Sequence, residues 1–284
     1  MDTDLPPALA GFEADTFSHG GKERTVFRTG RGPAVIVMAE IPGITPKVAE
    51  FTTRVAGIGC TAVLPHLFGV TGQDAFADGL LRAAGRMSKA ILPLCVSREF
   101  VVFATGRTSP VVEWLRALAA HEHDRCGGPG VGAVGMCFTG GFALAMATDP
   151  SVLVPVLSQP SLPMAVTGKA RRTIDCSPED LDTVAGRCAA GDLDVIGLRF
   201  KGDRLATADR FEFLRERLGD AFVGVDLDDE DGNPDGPLSP HSVLTEHLID
   251  EPGQPTHDAL ELVLDHFRRR LLRPVDQEKA TDVT

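Results

Sequence analysis

The chain has no excess of positive charge: 28 Lys and Arg stand against 40 Asp and Glu, giving a formal charge of −12 and a pI near 5.1. Without a basic surface nothing is available to neutralise a phosphate backbone, so nucleic acid is excluded as an expected partner. The same deficit provides no long-range attraction for an anion, and a substrate carboxylate would have to be read by an arginine inside a pocket. No apolar run reaches the roughly 18 residues of a membrane span. Six cysteines, at 60, 95, 126, 137, 176 and 188, contain no CxxC pair and no spacing of a zinc ribbon or disulfide framework, so they read as reduced thiols. The first residues, Met1-Asp2-Thr3-Asp4-Leu5-Pro6-Pro7, are acidic and proline-containing where a secretory signal would carry basic residues and then an apolar stretch, and the expected location is the cytoplasm.

What is present is an alternation. Short apolar runs of strand length occur at Ala34–Met38, Thr61–Leu64, Val131–Val134, Val152–Leu157, Val195–Phe200 and Ala221–Val225. Between them lie segments with helical spacing: Lys47–Ala56, Ser109–Ala120, Phe138–Ala147, Pro178–Ala189, Thr207–Leu218 and His257–Leu272. Continuous rather than alternating apolar strands, separated by helices, predict an α/β fold: a doubly wound, mostly parallel sheet flanked by helices. Gly20-Gly21 is a turn signal in a polar start, and the acid-, Gly- and Pro-rich stretch 228–236 reads as a surface loop. A helix is expected over Asp74–Ala90, and residues 70–108 read as an insertion over the site of an otherwise single domain spanning 1–284.

The strand at Val131–Val134 runs into Gly135-Met136-Cys137-Phe138-Thr139 and then into a small-residue helix, the context of a nucleophile elbow. The sharp turn strains the backbone at the nucleophile and needs small residues two before and two after it; Gly135 fills the first place and Thr139 fills the second only roughly. A sulfur here faces the amides at the start of a helix, which favour negative charge on it. The competing reading of Cys137 is a small buried hydrophobe.

In an elbow fold the acid follows the nucleophile and the histidine comes last, each beyond a later strand. Asp203 lies directly after Val195–Phe200 and is preferred over Asp192, Asp194 and Asp226, which precede or end strands, although a turn or N-cap role is its ordinary alternative. His241, in the loop after the last strand, is preferred over His247, which reads as a packing or solvent-exposed histidine. His257 and His266 fall in the terminal helix, and His19, His66, His121 and His123 precede the nucleophile.

On Gly135-Met136-Cys137-Phe138-Thr139-Gly140-Gly141, Met38-Ala39-Glu40-Ile41-Pro42-Gly43, Ala62-Val63-Leu64-Pro65-His66-Leu67-Phe68 and the later Asp203 and His241, the chain resembles the dienelactone hydrolase family of α/β-hydrolases from about residue 30 to residue 272. The resemblance implies a Cys137–Asp203–His241 triad, in which His241 takes the thiol proton and Asp203 orients the imidazole. It further implies that Glu40 contacts the thiol in the resting enzyme, and that the backbone N–H groups of Ile41 and Phe138 form the oxyanion hole. The implied activity is hydrolysis of a small-molecule ester or lactone through an acyl-cysteine, with no metal and no organic cofactor. The sequence departs from the family in placing Thr139 where glycine is common, and residues 72–108 do not align with the part that supplies substrate-binding arginines; Arg82, Arg86 and Arg98 are candidates there, with solvated surface charge as the alternative. Two other readings of the fold compete with hydrolysis. Dehalogenation normally uses a carboxylate at the elbow, which Cys137 opposes, and a catalytically idle protein would use Cys137 as a binding or redox-sensing thiol. The oligomeric state is not legible.

Overall fold

The computed structural model describes residues 5–74, 85 and 97–272. The six apolar runs become strands β3 (Ala34–Met38), β4 (Thr61–Pro65), β5 (Val131–Met136), β6 (Val152–Ser158), β7 (Val195–Phe200) and β8 (Phe222–Leu227), preceded by β1 (Glu13–His19) and β2 (Lys22–Gly30). All eight form one sheet in the order β1-β2-β4-β3-β5-β6-β7-β8, with β3 to β8 parallel and β1 and β2 antiparallel at one edge. The mostly parallel sheet expected from the alternation is therefore present. The hairpin of β1 and β2 is not legible in the sequence beyond its Gly20-Gly21 turn. Its outer strand is exposed at nearly every residue, and a strand with no buried face carries no apolar run to detect.

Helices cover both faces. On one lie α1 (Pro46–Gly57) and α7 (Pro255–Leu271); on the other lie α2 (Val111–Cys126), α3 (Gly140–Met146), α5 (Pro178–Ala189) and α6 (Ala208–Leu218), while α4 (Gly168–Arg171) is a single turn. Each face has its own core, and β3 feeds both, because successive side chains of a strand point to opposite sides. Ala34, Ile36 and Met38 join the core under α2 and α3, whereas Val35 and Val37 join the core under α1 and α7. The helix starts are written locally: Thr45, Ser177 and Thr207 each accept a backbone N–H of the first turn, and Pro46 and Pro178 follow the first two of these caps.

Some boundaries differ from the sequence reading. The last strand begins one residue later and continues to Leu227, and the helix expected from Phe138 starts at Gly140. In the second case residues 137–139 form a 3-10 turn, because Cys137 has φ 51° and cannot begin an α-helix. The helix expected over Asp74–Ala90 lies almost entirely outside the described residues. Among the described residues no helix is long and apolar enough to cross a membrane.

In this topology the chain reverses direction across the sheet between β3 and β5. The loops beyond β3, β5, β6, β7 and β8 all open on the carboxyl edge, where open parallel sheets form their crevices.

Candidate active site

Cys137 follows β5 directly. Its left-handed φ of 51° costs a non-glycine residue on the order of 1 kcal/mol or more, and the surrounding packing holds it there. A Cβ on Gly135 would sit 2.1 Å from the Thr139 carbonyl oxygen, and one on Gly140 would sit 2.6 Å from Pro160 Cα. Those two glycines provide the close approaches. Thr139 works differently. Its buried hydroxyl accepts from Met136 N at 2.9 Å and faces the Met38 and Ala39 carbonyls at 3.0 and 3.3 Å, tying the end of β5 to the end of β3.

The thiol has a neighbour that the sequence reading did not name. Ser161 Oγ donates to Cys137 Sγ at 3.0 Å, and Ser161 N donates to the Cys137 carbonyl at 2.9 Å. Ser161 belongs to the loop after β6, and its only sequence signal is its place three residues beyond the end of a core strand.

Asp203 and His241 meet as their order in the chain implied. Asp203 Oδ2 is 2.7 Å from His241 Nδ1, while its Oδ1 accepts from Leu205 N at 2.8 Å and Ala206 N at 3.2 Å. Burial opposes the carboxylate, but the hydrogen bond and charge of His241 and the two amides overcome this and hold Asp203 below its ordinary range. For His241, burial opposes protonation, and the Cys137 sulfur and the Asp203 carboxylate reverse that, raising the imidazole well above the usual histidine range. His241 Nε2 is enclosed and has no hydrogen-bond partner among the described residues.

His247 takes the packing role. Its Nδ1 accepts from Ser242 N at 3.2 Å and His241 N at 3.4 Å, its ring meets Phe200 edge to face, and burial, with His241 nearby, lowers it to about 4. It is a neutral brace for the loop that carries His241.

Glu40 follows β3 and is buried, but the hydrogen bonds to its carboxylate come from Ser242 Oγ at 2.7 Å, Gln159 Nε2 at 3.2 Å and Thr245 Oγ1. The contact of Glu40 with the thiol is not among these; the hydroxyl on Sγ belongs to Ser161. Gln159 and Thr245 were missed in the sequence, since a buried polar side chain is recognisable only once its partner loop is in place.

Arg210, also missed, is fully buried at the start of α6. All five of its N–H groups are used, on the carbonyls of Thr173, Pro160, Leu205, Pro163 and Ala170. It thereby joins the loop carrying Ser161 to the loop carrying Asp203, and burial lowers it to about 10, still cationic at neutral pH. A signal did exist: positions 210, 211, 214 and 218 share the buried face of the helix, so Arg210 stands in an otherwise apolar stripe.

Cys137, Asp203, His241, Glu40, Ile41 and Phe138 all line one cavity of about 570 Å³. The Phe138 ring is fixed against Phe68, Phe100 and Phe142 at centroid distances of 5.5, 5.4 and 6.0 Å. From the segment read as an insertion, Val102 and Phe103 reach the cavity wall. Arg98 is exposed and does not line the cavity; Arg82 and Arg86 lie outside the described residues. Among the described residues no group of three or more His, Cys, Asp or Glu side chains is placed to hold a metal ion.

The sequence model of the dienelactone hydrolase family matches residues 24–174, just over half of the chain. None of the curated proteins compared matches it by sequence. Among solved structures it is similar to a dienelactone hydrolase-like promiscuous phosphotriesterase from metagenomic libraries, at 15% identity and TM-score 0.57, covering 92% of this chain and 98% of that one. It is also similar to a dienelactone hydrolase from Anabaena variabilis (14%, TM-score 0.52, 92% and 98%) and to a cold-adapted esterase from an Arctic intertidal metagenomic library (14%, TM-score 0.53, 95% and 98%). At such identities the likeness shows the α/β-hydrolase fold.

Proposed function

We propose that this chain, which belongs to the dienelactone hydrolase family, hydrolyses an ester or lactone through an acyl intermediate on Cys137. The observation that carries the reading is the 2.7 Å pair of Asp203 and His241, set in one cavity with a cysteine held in a strained elbow. In this mechanism His241 takes the thiol proton and the Cys137 sulfur attacks the carbonyl carbon of the substrate. The charge that develops on the carbonyl oxygen is met by the backbone N–H groups of Phe138 and Ile41. The carbon–oxygen bond to the leaving group then breaks as His241 returns its proton to that oxygen. Water attacks the thioester next and yields its proton to His241; the carbon–sulfur bond breaks, the acid leaves and the thiol is restored. Asp203 keeps the imidazole oriented and stabilises its charged form in both halves. Cytoplasmic residence suits the reading, because the nucleophile has to stay reduced.

The test is direct. With 4-nitrophenyl butyrate the protein is expected to release a burst of nitrophenol and to carry an added butyryl mass on Cys137. Cys137→Ala and His241→Ala are each expected to lower kcat by roughly 10³-fold or more. Full activity in Cys137→Ala would sink the proposal.

A further inference from the structure

The substrate class follows from the wall and the mouth of this cavity, and the inference rests on the Cys137 hydrolase reading above. Apart from the reacting groups and Ser161, the wall near Cys137 presents the apolar side chains of Val102, Phe138 and Met164 to the space. At the mouth, three large apolar side chains stand in water: Phe103 is 58% exposed, Leu238 67% and Leu205 37%. They are half of the six large hydrophobics so exposed among the described residues, and they gather at one opening. A cluster of this kind marks a binding surface, whereas scattered single residues would mean little.

The charges around the space point the same way. Four carboxylates line it: Glu40, Asp203, Asp229 and Glu246. Arg204, exposed at the rim, is the only lysine or arginine among the described lining residues. Burial beside Glu40 and Asp74 pushes Glu246 up to about 7, so a carboxyl at that part of the wall, which among the described residues has no partner like the His241 of Asp203, is disfavoured as an anion. A further carboxylate brought in by a substrate would meet the same repulsion and lose its hydration as well.

We infer that the enzyme takes uncharged esters with an apolar chain running from Cys137 past Val102 and Met164 onto Phe103, Leu205 and Leu238, and that it discriminates against carboxylate-bearing esters and lactones.

The probes are the 4-nitrophenyl esters of acetate, butyrate and hexanoate, with mono-4-nitrophenyl succinate as a length-matched anionic partner of the butyrate. Each added pair of methylenes is expected to raise kcat/KM by roughly tenfold, and the succinate is expected about thirtyfold or more below the butyrate. Leu238→Ser, a change at an exposed position, is expected to lower the hexanoate-to-acetate preference by about fivefold. A succinate ester hydrolysed as fast as the butyrate, or a flat chain-length profile, overturns the inference while leaving Cys137 hydrolysis standing, provided Cys137→Ala abolishes the turnover seen. If no ester acylates Cys137 or is turned over, the hydrolase reading itself falls and the inference falls with it.

Discussion

The floor of the cavity and its mouth are built on opposite terms. On the floor, polar groups are committed to named partners: Asp203 to His241 and two amides, Glu40 to three side chains and the Cys137 sulfur to Ser161, while Arg210, buried outside the lining, ties the supporting loops through five carbonyls. At the mouth, Phe103, Leu205 and Leu238 offer apolar surface to water. The difference separates two jobs. Reacting atoms need positions fixed to a fraction of an ångström, and low-dielectric, fully bonded surroundings supply that. Selection of a substrate needs surface left uncovered, and uncovered apolar surface is tolerated only where it is used.

If that division is right, the largest effects of substitution fall on the floor and on rate. Asp203→Asn keeps the shape and removes the charge beside His241; kcat is expected to fall by roughly 10³ to 10⁴-fold, read with any ester that the wild type accepts. The same variant changes the pH dependence of stability. Asp203 is lowered in the folded state, so its contribution is present above about pH 3.9 and is lost as the pH falls through its folded value. His241 is raised, so its contribution is complete below about pH 6.5 and is lost as the pH climbs through its folded value. Urea midpoints of wild type minus variant should therefore peak between those limits and shrink on both sides. A difference independent of pH would mean that the pair does not couple as described.

The next largest effect is on stability. Arg210→Met leaves five carbonyls of two catalytic-edge loops without donors and is expected to cost about 3 kcal/mol or more in urea unfolding. Arg210→Lys keeps a charge but offers three donors in place of a planar five, and is expected to recover only part of that loss. Equal stability of the methionine variant and wild type would show that the floor is held by packing alone.

How much of this was visible in the chain itself follows the same division. The core strands could be read because β3, β4, β5 and β7 are covered on both faces and spell apolar runs, that of β7 interrupted by Arg199; β1 could not, because its residues face water. Cys137, Asp203 and His241 were legible because each occupies a set place after a strand, and strands announce themselves. Ser161, Gln159, Thr245 and Arg210 were not, because their roles exist only where one loop meets another, and sequence spacing carries no record of which loops meet. Thr139 shows the limit of a motif: a glycine was expected at that place for clearance, whereas clearance is needed at Gly135 and Gly140 and the threonine hydroxyl fastens two strand ends.

The smallest expected effect tests whether the floor includes Ser161. Its hydroxyl lies 3.0 Å from Sγ, where it can stabilise negative charge on the sulfur and, on the proposed mechanism, help to orient it. Ser161→Ala removes one hydrogen bond to a developing charge and is expected to lower kcat by roughly tenfold with little change in KM, the size ordinary for a single donor of that kind. Ser161→Thr keeps the hydroxyl, so it should restore most of the rate if the hydroxyl is what matters. A purely structural role predicts another pattern: both variants would lose stability, the bulkier threonine more, and the rate at saturating ester would follow the folded fraction. Rescue by threonine with an unchanged urea midpoint in Ser161→Ala would place the serine among the groups that position the sulfur. Failure of threonine to rescue would mean that the Ser161 hydroxyl does not position the sulfur.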